Sequence, residues 1–259
     1  MDWAYTLCGL VVGFIVGVTG LGGGSLMTPM LVLFFGIHPA TAVGTDLLYA
    51  SITKAGGVWV HARKGNVDWR LVGWLAAGSL PTAVVTTWIL TTLELRDEHL
   101  STLISGVLGV ALILTALAIL GRETLWRFSR KREVAGHNWG RQRLIAATVA
   151  TGVVLGAFVT ISSVGAGAIG MVALLWLYPR LPSVKLVGVD IAHAVPLTAV
   201  AGLGHFYMGT VDFILLGSLL LGSLPGIYLG SQVGGRIPDH ILRPLVACML
   251  LLVGGRLVM

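Results

Sequence analysis

Charge is scarce in this chain. Only 11% of its 259 residues are Asp, Glu, Lys or Arg, against about 25% in an average soluble domain. At the same time 56% are hydrophobic and the mean hydropathy is +0.90, a balance that excludes a soluble globular domain. Cysteine is nearly missing too. Cys8 and Cys248 both lie in apolar segments, which excludes a disulfide scaffold and a cysteine-built metal site. There is no Ser-His-Asp arrangement and no His-Glu-x-x-His pattern, the histidines and aspartates lack the tight spacing of a metal cage, and no Lys-Ser or Lys-Thr follows the glycine-rich stretches. Neither an enzyme nor a resident cofactor or metal is therefore expected. A basic leader is also lacking, since Asp2 precedes the first apolar segment, which is expected to be mature protein rather than a signal peptide.

What the chain has instead is long apolar runs. The stretch HLSTLISGVLGVALILTALAILG, residues 99 to 121, is long enough at 1.5 Å per residue to cross a hydrocarbon core of about 30 Å. Spans are expected near residues 39 to 62, 68 to 93 and 99 to 121, and again near 183 to 207, 211 to 234 and 240 to 258. Each set is preceded by a glycine-broken apolar segment, residues 3 to 35 and 143 to 178. All should be helical, because an open strand edge finds no partner in lipid. The expected fold is an all-α polytopic membrane protein.

The two sets repeat one another. Shifting the sequence by 144 residues pairs Val43 with Val187, Gly44 with Gly188, Asp46 with Asp190, His61 with His205, Gly65 with Gly209, Asp68 with Asp212, Gly78 with Gly222 and Pro81 with Pro225. Upstream the phase is expected to slip by one residue, so that GLGGGS at Gly20 faces GAGAIG at Gly165. The chain divides accordingly into a first repeat (1 to 121), a basic connector (122 to 143) and a second repeat (144 to 259).

Charge between the spans gives the orientation. The connector carries Arg122, Arg127, Arg130, Lys131, Arg132, Arg141 and Arg143 against Glu123 and Glu133, which makes it cytoplasmic. The net charge of +6 thus reflects orientation rather than nucleic-acid binding. Counting outward from the connector puts HARKGNVDWR inside but its repeat counterpart, HFYMGTVDF, outside. The two repeats are then inverted, with both termini outside, a recurring build of secondary transporters in which paired broken helices mark the substrate site.

Two readings apply to the glycine breaks. Small residues let helices touch closely in lipid. Alternatively, Gly22, Gly23 and Gly24 in one half and Gly165 and Gly167 in the other unwind the backbone, at about 1 kcal/mol per glycine relative to alanine, and free a helix N-terminus whose N–H groups and dipole attract an anion. Thr19, Ser25, Ser162 and Ser163 stand beside the breaks as hydroxyl donors, or bond back to their own helices. Ionisable residues within the spans are costly and mark function or pairing. Lys54 is either a cation that attracts an anionic substrate or the ion-pair partner of Asp46 or Asp190. Asp190 and His193, three residues apart on one helical face, form either a proton relay or a structural pair with a carbonyl and Lys54. Asp46 in the outer half and Asp190 in the inner half suit alternating gates. His61 and His205 are expected to be structural, and Asp68 and Asp212 to cap the helices that follow them.

The residues GFIVGVTGLGGGSLMTPMLVLFFGIHPATAVGTDLLYASITKAGGVWVHARKGNVDW and the AGSLP that follows resemble the sulfite exporter TauE/SafE family of membrane permeases, over nearly the whole chain. The resemblance implies a secondary carrier of small sulfur-containing anions, such as sulfite, thiosulfate or organosulfonates, in the bacterial cytoplasmic membrane. It places the family motif on Gly20, Gly22, Gly23, Gly24, Pro29, Gly44, Thr45, His61, Gly65 and Asp68. Asp46 departs from the pattern, standing where a small hydroxyl residue is expected, and GAGAIG is less glycine-rich than the repeat often is. On this reading the helix-end N–H groups, Ser25, Thr45 and Lys54 hold an oxyanion while the halves rock around it. A proton carried by Asp46, Asp190 and His193 is the candidate coupling ion. The alternatives are a cation or metal-ion carrier using Asp46 and Asp190, and a non-transporting membrane scaffold.

Overall fold

The computed structural model describes residues 3–19, 26–92, 97–134, 140–233 and 239–258. They form ten helices and, among the described residues, no strand: α1 (Trp3–Thr19), α2 (Met27–Phe35), α3 (Pro39–Arg63), α4 (Trp69–Thr92), α5 (Asp97–Val134), α6 (Arg141–Ser162), α7 (Ala168–Leu177), α8 (Ser183–Tyr207), α9 (Phe213–Val233) and α10 (Asp239–Val258). Five of them are long and apolar enough to cross a membrane: α4, the Ser101–Arg122 part of α5, α6, α8 and α9. Large apolar side chains such as Leu252, Ile214 and Trp88 face outward, a surface that suits lipid. The protein is an all-α polytopic membrane protein. α3 is not among the five although its 25 residues could span about 37 Å, because it carries Asp46 and Lys54, which it turns inward.

Helix ends follow local chemistry. Pro39 opens α3 at its first turn, where a missing N–H costs nothing, and Gly36 closes α2 in the left-handed conformation at φ 62°. The carboxylates of Asp68 and Asp212 accept backbone N–H bonds from Arg70 at 3.0 Å and Ile214 at 2.8 Å, capping α4 and α9. α5 continues through the basic connector as far as Val134, since no glycine or proline interrupts residues 122 to 134.

Both broken segments are hairpins that return toward the side they came from. Leu155 and Ile169, near the bend between α6 and α7, and Ala147 and Trp176, near its open end, line one groove. Thr148 and Tyr178 share a hydroxyl hydrogen bond of 2.6 Å, and Tyr5 meets Phe35 with ring centroids 5.1 Å apart in the α1–α2 hairpin.

Glycine decides which helices touch. A Cβ on Gly9, Gly13 or Gly17 of α1 would strike the backbone of Leu219, Ser223 or Ile227 on α9, and one on Gly222, Gly226 or Gly230 would strike Thr6, Leu10 or Phe14 in return. Both helices thus present glycine every fourth residue and run side by side in the same direction. α4 and α6 pack likewise, with Gly78 against Val149 and Gly152 against Leu75. The two contacts correspond, because Leu75 and Leu219 are 144 apart and Gly9 and Gly152 are 143 apart. The offset of the first helices is therefore 143, against the 145 that pairing Gly20 with Gly165 would require, and Gly20 itself lies outside the described residues. Each hairpin packs on a span of the other half of the sequence, so the halves are interlaced rather than side by side.

Candidate functional site

α3 and α8 cross at the centre of this arrangement, antiparallel to one another. A Cβ on Gly44 would lie 2.8 Å from the Thr210 carbonyl beyond the end of α8, one on Gly57 would lie 3.5 Å from Ile191, and one on Gly188 would meet the Asn66 carbonyl beyond the end of α3. Ser51 donates to the Val195 carbonyl at 3.3 Å. These two residues are 144 apart in sequence, so here a residue touches its own repeat counterpart. Asp46 and Asp190 each precede the contact by five residues, which puts them about 7 Å to either side of it along opposed helices.

Asp46 is fully buried. Its Oδ2 accepts hydrogen bonds from the Thr28 hydroxyl at 2.5 Å and the Ser163 hydroxyl at 3.0 Å. Thr28 lies in the first turn of α2, and Ser163 caps α6 in the left-handed conformation at φ 58°. One carboxylate thus ties together parts of both hairpins. Asp190 stands against Gly170, in the first turn of α7, where an added Cβ would lie 2.5 Å from Oδ1. Each aspartate therefore faces the N-terminal turn of a short helix, the end whose dipole favours negative charge. The helix start read from the sequence as an open anion site is faced, in both cases, by a carboxylate of the protein itself. Oδ1 of Asp46 and Oδ1 of Asp190 are buried without hydrogen-bond partners.

Lys54 is buried between them and acts electrostatically on Asp190 and Asp46. It forms no direct ion pair with either, among the described residues. His193 is fully buried, its Nε2 paired with the Ser79 hydroxyl at 2.8 Å and its Nδ1 unpartnered. The carbonyl bond considered for it from sequence is not made.

The remaining sequence candidates fall in other places. Thr45 accepts the backbone N–H of Asp212 at 3.1 Å, fixing the start of α9. The Ser162 hydroxyl bonds back to the Phe158 carbonyl at 2.6 Å. Gly165 takes φ 116°, a value that favours glycine, and Gly167 is the residue before α7. His205 joins the Thr160 carbonyl and the Thr210 hydroxyl, both at 2.9 Å. Gly22, Gly23, Gly24 and Ser25, and the side chain of Thr19, lie outside the described residues. No group of three or more His, Cys, Asp or Glu residues fit to hold a metal occurs among the described residues.

Two members of the site were not singled out from sequence. Thr28 precedes Pro29 in an apolar helix, and Ser79 lies two residues before Pro81. The one signal that could have marked Ser79 was its match with Ser223 at the repeat spacing.

Comparison with known proteins points to membrane transporters. The profile described as "Sulfite exporter TauE/SafE" matches residues 5–257. The chain is 38% identical over 261 residues to the "Probable membrane transporter protein YjnA" of Bacillus subtilis, with each chain covered in full. It is 30% identical over 253 residues to the "Probable membrane transporter protein YdhB" of the same organism, covering 93% of this chain and 96% of the relative. No solved structure matches the chain. With outward apolar faces, buried charge at the crossing of α3 and α8, and a family match from end to end, the chain belongs to the sulfite exporter TauE/SafE family of membrane transporters.

Proposed function

We propose that this transporter is a secondary carrier, not an enzyme, that exports small sulfur-containing anions such as sulfite, thiosulfate or organosulfonates by alternating access. One observation carries the reading: two buried aspartates face the N-terminal turns of α2 and α7 on opposite sides of the α3–α8 crossing, with Lys54 between them. The donors that hold Asp46, a hydroxyl at a helix start and the Ser163 hydroxyl, are of the kind that also hold an oxyanion. Protonation of Asp46 removes the competing charge and lets the substrate take its place, which couples anion to proton. Asp190 does the same from the other side. Lys54 supplies the positive charge that both anions need.

The orientation follows the basic connector. Residues 122 to 143 lie in the cytoplasm, both termini lie outside, and the two repeats are inverted in the bacterial cytoplasmic membrane. Support comes from the antiparallel course of α3 and α8 and from the positive-inside bias. Export of an anion is also downhill in charge, by about 2.3 kcal/mol per elementary charge at 100 mV, inside negative. The bodies that rock are the glycine-packed pairs, α1 with α9 and α4 with α6, since the interlaced halves cannot move as wholes.

Reconstitution into liposomes tests this directly. Sulfite, thiosulfate, sulfate and organosulfonates are assayed for flux with and without a pH gradient. At least one sulfur anion should move, and Asp46→Asn should keep flux while losing its response to the gradient. A panel in which nothing moves overturns the anion reading. The two unpartnered carboxylate oxygens favour one rival, a cation carrier, which requires loss of cation flux in Asp46→Asn and indifference to sulfite.

A further inference from the structure

His193 is held by one ring nitrogen and has nothing on the other. The Ser79 hydroxyl on α4 meets Nε2 at 2.8 Å, while Nδ1 is buried with no hydrogen-bond partner. Which way that bond runs follows from counting donors and acceptors. Ser79 has no second acceptor among the described residues, and it does not bond back to its own helix as Thr82 and Thr87 do. If the imidazole donated to Ser79, both the serine proton and a bare Nδ1 lone pair would be stranded. If Ser79 donates to Nε2, only one group is left over, and it is an Nδ1–H donor. A doubly protonated imidazole also carries Nδ1–H. The proton on Nδ1 is thus present in either ionisation state.

A buried donor with no acceptor is rare in folded proteins and calls for a partner that the protein itself does not supply. Its surroundings define that partner's charge. The buried Lys54 acts electrostatically on His193 as well as on both aspartates, so a negatively charged acceptor at Nδ1 is favoured once the aspartates are protonated. At the repeat spacing of 144 residues, His193 corresponds to Tyr49, whose buried hydroxyl has no hydrogen-bond partner, and Ser79 to Ser223, which bonds back to the Leu220 carbonyl. Tyr49 and His193 each lie two residues before a member of the Ser51–Val195 contact, but only the second repeat places an imidazole there.

We infer that Ser79 is a positioning residue that fixes the tautomer of His193, so that Nδ1–H serves as a permanent hydrogen-bond donor to the transported oxyanion rather than as a proton relay. This rests on the anion-carrier reading above. It assigns His193 to substrate recognition and leaves proton coupling to the two aspartates.

The test uses amides that imitate one ring nitrogen at a time. In His193→Asn the amide nitrogen falls near the place of Nδ1, and in His193→Gln near that of Nε2. Full-length protein in detergent is titrated with sodium sulfite, and the rise in melting temperature gives an apparent affinity. His193→Asn should stay within about threefold of the wild type, whereas His193→Gln should weaken sulfite by about tenfold or more, the scale of a hydrogen bond to a charged group. Ser79→Ala should weaken it severalfold and Ser79→Thr should restore it, with sulfite flux in liposomes showing the change in KM rather than in maximal rate. Equal affinities for the Asn and Gln variants, or an unchanged affinity in Ser79→Ala, overturn the inference. Should the Asn variant fail to fold, the Ser79 pair decides alone. A wild type that neither binds nor moves any anion of the panel overturns the carrier reading itself, and this inference with it.

Discussion

Asp46 can remain in the interior because two hydroxyls meet one of its oxygens. Thr28→Val keeps the shape of the side chain and removes one of them. A stability loss of about 1 to 3 kcal/mol is expected for a buried charged acceptor deprived of a donor, readable as a lower melting temperature in detergent, with Thr28→Ser recovering most of it. Ser163 adds a backbone constraint, since φ 58° is costly for a side chain with a Cβ. Ser163→Val should therefore be less stable than Ser163→Gly by about 1 to 2 kcal/mol, although both lose the same hydroxyl. At this scale the sequence marked what was chemically unusual. Asp46, Lys54, Asp190 and His193 stood out because ionisable groups are rare in apolar helices. Thr28 and Ser79 did not, because a hydroxyl in such a helix normally bonds to its own backbone, and only the neighbouring helix reveals that these two do otherwise.

Helices in this protein meet through glycine, and the repeat supplies a matched comparison. Gly78 and Gly222 are counterparts whose Cβ would run into the backbone of Val149 and Thr6. Gly73 and Gly217 are also counterparts, on the same two helices, and an added Cβ there meets nothing within 4 Å. Alanine at 78 or 222 should force α4 from α6 or α1 from α9, with loss of monodisperse protein in size-exclusion chromatography. Alanine at 73 or 217 should be neutral, or stabilising by up to about 1 kcal/mol. Element boundaries were largely legible beforehand. The expected span of residues 183 to 207 coincides with α8, and both interruptions fall between two helices. The partners were not legible. Gly9, Gly13 and Gly17 announce a close approach to something, but naming α9 requires knowing how segments two hundred residues apart fold together. Nor did apolar length distinguish a hairpin from two crossings, since nine residues of α2 and ten of α7 read equally well as half of either.

The orientation proposed for the whole chain is open to a labelling experiment. Lys64 and Met208 are counterparts at the turns that follow α3 and α8, and each caps its helix. In protein lacking Cys8 and Cys248, a cysteine at position 64 should react with an impermeant reagent only from the cytoplasmic side, and one at 208 only from outside. Labelling of both from one side would overturn the inverted arrangement. The repeat itself was visible in the sequence because rare residues such as His61 and His205 recur at a fixed spacing. The interlacing was not, because a repeat in sequence says nothing of which copy a helix packs against.

Interlacing also bears on how the protein is made. α1 leaves the ribosome about two hundred residues ahead of α9, and through that interval its glycine face has no partner. The first half must therefore wait in the membrane, unfinished, until the second is inserted. Severing the chain within residues 135 to 139 should give two fragments that are each degraded when expressed alone. Produced together they should protect one another and restore a carrier, an outcome that immunoblotting and flux assays can read.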